Sequence, residues 1–258
     1  VKVPRDILQC ASVSWVTRNH LGSDVELTTE QSSTEHFDVV VLLFPGVTQL
    51  DYVGPVEVFG RCPGARIHLA AREPQVVTDL GAVVVPSCNL AEAPSASVLL
   101  IPGGPGIVDA MADSELLAFV EAQAAGASWV CSVCTGSFVL GAAGLLKGRR
   151  ATTHWASHPM LADLGCIPVE ERVVVDRPFA TAAGVSAGID LALWVAGEVF
   201  GARKGSWIEM SLEYAPQPPF GTGAAVTAPP HWVAMGREAM RAERLNAVQD
   251  AARRMHEN

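Results

Sequence analysis

Cys134 stands where a buried-strand run meets a helical pattern. Trp129, Val130, Cys131 and Val133 form the run, and Phe138, Val139, Leu140, Ala143 and Leu145 are the apolar positions that follow Gly136. A nucleophile on a sharp strand-to-helix turn needs small residues two before and two after it, because the backbone doubles back there. Ser132 and Gly136 meet that need, so S-V-C-T-G reads as a nucleophile elbow with a thiol in place of a hydroxyl. The free N–H groups at the start of the helix favour an anion, and they are expected to lower the thiol from its ordinary pKa of ~8.5. The competing reading is a buried cysteine packed as a small hydrophobe.

Other reactive residue types invite their own readings. Cys131 and Cys134 spell C-x-x-C, yet Cys131 falls inside the predicted strand, three residues back and on the opposite face, so the pair is read as coincidental. Asp51 lies near the first turn of a predicted helix, just past the carboxyl end of the first strand, the edge where open α/β sheets bind ligands. I-P-G-G-P-G follows another strand; it is not G-x-G-x-x-G, and backbone donors near Gly103 and Gly104 suit an oxyanion pocket better than a dinucleotide site, with an ordinary turn as the alternative. His154 and His158 are spaced i, i+4, but without a glutamate between them or a clear third ligand a metal site is weakly supported, and no metal is expected.

The elements that must position these residues alternate along the chain. Strands are predicted at Phe37 to Phe44, Arg66 to Ala71, Ser97 to Ile101, Trp129 to Val133, Ala151 to Thr153, and as a pair at Arg172 to Val175 and Phe179 to Ala182, with a small hairpin near Val83 to Pro86. Helices are predicted with Leu50, Val53, Val56, Val58 and Phe59 on one side, from a Ser114 cap to Ala125, after the elbow, and from His154-Trp155. Further helices are predicted after Gly184 with Val185, Ile189, Ala192, Leu193, Ala196 and Phe200 on one face, over Trp207 to Tyr214, and over His231 to Arg254. Lys147, Arg149 and Arg150 read as a helix C-terminal cap, and Pro216 to Phe220 as an extended segment. Long connections between apolar strands argue an α/β fold with a doubly wound parallel sheet.

With 258 residues, 49% hydrophobic and 17% charged, the chain fits one large domain with appendages. Residues 1–36 read as an N-terminal extension or disordered arm, 37–220 as the catalytic domain and 221–258 as a tail with a helix. A net charge of −9 without a basic cluster excludes the usual footprint for nucleic acid or an anionic membrane. Six irregularly spaced cysteines suggest free thiols in a reducing compartment, and the apolar part of the first residues is too short and mixed for a signal peptide, so a cytoplasmic protein is expected.

Four stretches carry a resemblance. The elbow S-V-C-T-G-S, the following L-G-A-A-G-L-L-K-G-R-R-A-T-T-H-W, the early F-P-G-V-T-Q-L-D-Y-V-G-P-V-E-V-F and the late L-E-Y-A-P-Q-P-P-F resemble the isocyanide (isonitrile) hydratases. These belong to the ThiJ/PfpI branch of the class I glutamine amidotransferase-like superfamily. The resemblance covers about Phe37 to Phe220 and implies a flavodoxin-like doubly wound sandwich, a homodimer, no metal and no organic cofactor. It implies Cys134 as nucleophile, Asp51 as acid/base partner and Thr135 beside the substrate, a small isocyanide hydrated to an N-substituted formamide through a covalent thioimidate. Many relatives carry Glu where this chain has Asp51.

On that reading, backbone donors near Gly103 and Gly104 and the Thr135 N–H and hydroxyl orient the adduct. Asp51 has a plainer alternative as a charge satisfying its helix's first turn. His154 could pair with the thiol as a base, but a structural wall with Thr152, Thr153 and Trp155 is favoured because the hydratase pattern assigns proton transfer to Asp51. Two further classes stay open: a ligand-sensing domain like the front domains of transcription regulators, and another cysteine enzyme of glyoxalase or peptidase type.

Overall fold

The computed structural model describes residues 36–257. The expected arm, 1–36, lies outside the described residues apart from His36. The chain runs β1 (Phe37–Leu42), α1 (Gln49–Phe59), β2 (Ala65–Ala71), β3 (Val76–Val77), β4 (Val83–Val84), β5 (Cys88–Asn89), β6 (Val98–Ile101), α2 (Ile107–Ala110) and α3 (Ser114–Gly126). It continues through β7 (Trp129–Val133), α4 (Gly136–Ala142), β8 (Arg150–Ala151), a 3-10 helix (His158–Leu164), β9 (Ile167–Pro168), β10 (Val173–Asp176), β11 (Phe179–Ala182), α5 (Ala187–Phe200), α6 (Ala202–Ser211) and α7 (Pro230–Glu257).

Seven strands form one sheet in the order β10-β11-β7-β6-β1-β2-β5. All neighbours are parallel except β10 and β11, so the sheet is mostly parallel as the long crossovers require. Strands β1, β6 and β7 are buried at every position, which is why their sequences are continuous apolar runs rather than alternating ones. Helix α1 packs with α5 and α5 with α6, while α4 packs with α2, α3 and α7, so that two groups of helices cover the sheet in a flavodoxin-like sandwich. The connections from β1 lead to β2 on one side and, later in the chain, to β6 on the other. The crevice at the carboxyl ends of β1 and β6 is therefore the switch point where such sheets bind ligands.

Several local expectations are corrected. Helix α3 is capped by Asp113 rather than Ser114: the Asp113 side chain accepts from the Glu115 and Leu116 amides, and Ser114 is already helical. The buried side of α1 holds Asp51, Tyr52, Gly54, Pro55, Val58 and Phe59, while Leu50 is exposed. No helix begins at His154; its Nδ1 accepts from the Ala156 amide at 3.3 Å, a local bond that competes with helical pairing, and the 3-10 helix starts only at His158. His154 and His158 therefore do not share a helical face, and no metal-holding cluster occurs among the described residues.

Helix α4 stops at Ala142, so Arg149 is no cap; it donates to Asp176 Oδ1 at 3.1 Å. Helix α5 buries Gly188, Leu191, Ala192, Val195 and Ala196, a stripe rotated from the expected one because Gly54 and Pro55 of α1 press against Ile189 and Gly188. Helix α6 begins earlier than expected, directly after Gly201, whose φ of 88° suits only glycine. Helix α7 begins on Pro230, whose missing amide costs nothing in the first turn. Among the described residues, no helix is long and apolar enough to cross a membrane.

Candidate active site

Three loops meet at the switch point. Asp51 arrives from the first turn of α1, Gly103 and Gly104 from the loop after β6, and Cys134 and Thr135 from the turn between β7 and α4. Cys134 has φ 56°, a left-handed conformation that costs a non-glycine residue about 1–2 kcal/mol, as an elbow demands. Its backbone is held from both sides: the amide donates to Ala182 O (3.1 Å) and Ala183 O (2.9 Å), and the carbonyl accepts from Thr153 Oγ1 at 2.8 Å. Gly136 must be glycine, because a Cβ there would lie 2.0 Å from Ile101 O.

Asp51 is fully buried, and its Oδ2 accepts from the Gly103 amide at 2.9 Å. Its Oδ1 has no hydrogen-bond partner, although the Cys134 thiol is near enough to stabilise the carboxylate. That contact lacks the geometry of a closed hydrogen bond, a common state for acid/base pairs in empty sites. Burial carries the Asp51 carboxyl from its ordinary 3.8 up to about 7, against the Gly103 bond and the thiol, which lower it.

The thiol itself departs from expectation. Burial and the Asp51 charge push Cys134 up to about 12, while the Thr135 and Val185 amides and the Arg244 cation pull it down. A helix dipole contributes at most about 2 kcal/mol to an anion at its start, and loss of hydration at a site 7% exposed outweighs it. Burial thus favours the thiol form of the resting sulfur, and the carboxyl group beside it ionises around neutral pH. The Gly103 and Gly104 amides are also engaged differently from the expected oxyanion pocket: Gly103 holds Asp51, and Gly104 donates to Thr135 Oγ1 at 3.1 Å. The amides that face the sulfur are those of Thr135 and Val185. Val185, with φ 33°, is strained where a β-branched residue is least tolerant.

Sequence reasoning gave Val185 only a place on a helix face, read Thr153 only as pocket wall, and passed over Arg244. The first carries no reactive group, and the other two act through contacts 19 and 87 residues apart in the chain. Cys131 sits wholly buried in β7, paired across the sheet with Ala180 and Leu100, and its thiol is raised by burial alone. Cys131 and Cys134 are both free thiols, as are Cys62, Cys88 and Cys166. His154 is lowered to about 4 by burial and by Arg244, so its ring is neutral.

A search with family models matches the DJ-1/PfpI family over residues 38–198. The chain belongs to the DJ-1/PfpI family. Among similar proteins, an isonitrile hydratase from Pseudomonas putida is 47% identical over 189 residues, covering 73% of this chain and 83% of that protein. A solved ThiJ/PfpI family structure from Pseudomonas syringae is 38% identical, with a TM-score of 0.80 over 90% of this chain and 98% of that one. The HTH-type transcriptional regulator GbdR of Pseudomonas aeruginosa is 30% identical over 142 residues, which are 54% of this chain and 38% of that protein.

Within this DJ-1/PfpI chain, a cavity of ≈ 400 Å³ lies beside the elbow rather than over it. Thr153, Ala183 and Val185, which all touch Cys134 through hydrogen bonds, form its inner wall, and neither Cys134 nor Asp51 lines it. His154 and Trp155 face the same space, and Ala224 to Val226 close it from the tail. Trp155 presses so closely on α7 that a Cβ at Gly236 would lie 2.4 Å from its ring. The family match stops before α6, so α7 and the Arg237 it brings to this wall lie beyond it.

Proposed function

We propose that the protein is an isocyanide hydratase, converting an isocyanide and water to an N-substituted formamide. The observation that carries this reading is the buried Asp51 carboxylate with an unfilled oxygen beside a thiol on an elbow, two groups that can pass a proton between them. The 47% identity to an isonitrile hydratase over most of the chain supports the choice of substrate.

The isocyanide carbon must gain sulfur and hydrogen, then exchange sulfur for oxygen. The Asp51 carboxylate takes the thiol proton as Cys134 Sγ bonds to the terminal carbon, and returns that proton to the same carbon, leaving a thioimidate, S–CH=N–R. Asp51 next takes a proton from water as the water oxygen bonds to that carbon, and passes that proton to the nitrogen as the C=N π bond opens, which restores the carboxylate. The tetrahedral adduct S–CH(OH)–NH–R collapses: the C–S bond breaks, the hydroxyl proton returns to sulfur, and the formamide leaves. The Thr135 and Val185 amides lie on the sulfur side and stabilise charge there. Gly103 and Gly104 serve by fixing Asp51 and Thr135, and His154 and Trp155 form the wall against which the substituent on nitrogen rests.

The test is direct. Protein incubated with a simple alkyl isocyanide should yield the formamide, and Cys134→Ala should not. Trapping during turnover should add one substrate mass to the peptide bearing Cys134. Turnover that survives in Cys134→Ala would end the covalent scheme. The match to GbdR favours a second reading, a ligand-sensing domain; binding of an isocyanide without formamide release would decide for it. The hydratase reading includes a cytoplasmic homodimer. Its support is the free thiols and the exposed apolar Leu50, Val77, Leu80, Val83 and Val85, and sedimentation checks the dimer.

A further inference from the structure

Helix α7 drives a guanidinium into the protein. Arg244 keeps only 6% of its surface exposed, and its Nη1 donates to Ser157 Oγ at 2.9 Å. Its Nε has no partner, and the carboxylate paired with it is that of Glu243 on the same helix, 3.6 Å from Nη2 and 42% exposed. Water screens such a carboxylate, so the buried positive charge is left largely unmatched.

The segment Arg244 grips is the one that holds the elbow. The Ser157 amide donates to His154 O at 2.9 Å, the Ala156 amide to His154 Nδ1 at 3.3 Å, and Thr153 Oγ1 to Cys134 O at 2.8 Å. Residues 153–157 thus join the tail helix to the candidate nucleophile. We propose that Arg244 is a positioning residue for the thiol chemistry: it locks 153–157 against the elbow, and its unmatched charge favours the anion that forms on Cys134. This rests on the reading of Cys134 as nucleophile.

The charges around the thiol oppose one another, and Arg244 is the one that favours its anion. Arg244 pulls Cys134 down against burial, and it pushes His154 down, which keeps a second cation from forming. Asp51, facing the thiol from α1, raises it, and Asp79 in turn raises Asp51. Earlier on α7, Arg237 pairs with Glu170 at 3.2 Å, and Glu170 lies 3.9 Å from His158 Nδ1, so Arg237 has an anion of its own. A residue needed only to hold Ser157 could be neutral. Arg244 carries a charge that burial makes costly, and the thiol is where that charge has an effect.

The pH dependence of Cys134 alkylation by iodoacetamide, followed by peptide mass spectrometry, tests this without any isocyanide. Arg244→Met should move the alkylation profile to higher pH and slow alkylation at a fixed pH below the midpoint several-fold. Arg244→Lys should recover most of both. A Met variant that stays folded with its midpoint unmoved would overturn the inference. Should that variant fail to fold, Glu243→Gln at low salt decides: removing the flanking anion should lower the midpoint, and no change or a rise refutes the role. Absence of isocyanide turnover in the unaltered protein would sink the hydratase reading and leave these midpoints standing.

Discussion

The Gly103 amide donates to Asp51 Oδ2 over 2.9 Å, and that bond leaves Oδ1 free beside the Cys134 thiol. A carboxylate at the start of a helix ordinarily satisfies the amides of its own first turn. Here the donor comes from a different loop, and the second oxygen is kept for the site. This relationship between α1 and the loop after β6 gives the following consequences.

Asp51→Asn removes the proton acceptor while keeping the shape and the Gly103 bond. Formamide formation should fall by roughly 10²-fold or more, the usual loss when a general base is removed. In the unaltered protein kcat/KM should rise with pH through about 7 as the Asp51 carboxyl ionises, and the variant should lose that limb. A pH–rate profile of both proteins checks it.

The same substitution should stabilise the fold at neutral pH. Asp51 binds its proton more tightly folded, at about 7, than unfolded, at 3.8, so stability is highest below 3.8 and is lost as pH rises towards 7. The span corresponds to at most roughly 4 kcal/mol. Asp51→Asn should recover ~1–3 kcal/mol at pH 8, read as an increase in urea midpoint. An equal midpoint at pH 8 would show the burial cost to be met elsewhere.

His154 should not appear in the activity profile. Its ring is lowered to about 4, so the fold is favoured fully above the ordinary 6.5 and loses that contribution as pH falls from 6.5 to about 4. His154→Ala should keep both limbs of the pH–rate profile while changing KM, since the ring lines the cavity wall. Loss of a limb would return His154 to the role of base.

Gly103→Ala should abolish activity in a folded protein. The added carbon would lie 2.5 Å from both Thr135 N and Thr135 Oγ1 and 3.1 Å from Asp51 Oδ2, so one side of the site must move. Cys131→Ala is the contrasting substitution: the residue is buried in β7 with burial the sole influence on its thiol, and turnover should remain within about threefold at a cost of ~1 kcal/mol in stability. Equal loss from both cysteine variants would revive a dithiol function.

What the chain determined by itself is local. The buried strands, the elbow around Cys134 and the position of Asp51 just past β1 follow from apolar runs and small residues a few positions apart, and these forces act within a turn or a strand. Where a side chain competes with the backbone, as His154 and Asp113 do, element boundaries moved, because one hydrogen bond decides between turn and helix. Only the tertiary structure decided which groups face the thiol. The partners of Asp51, Thr153 and Arg244 lie 52, 19 and 87 residues away, and the amides of Gly103 and Gly104, read as substrate donors, are held by Asp51 and Thr135 once the loops meet. The state of the sulfur was likewise beyond local reading: a short helix lowers a thiol, but packing around it removes water, and loss of hydration is the larger effect.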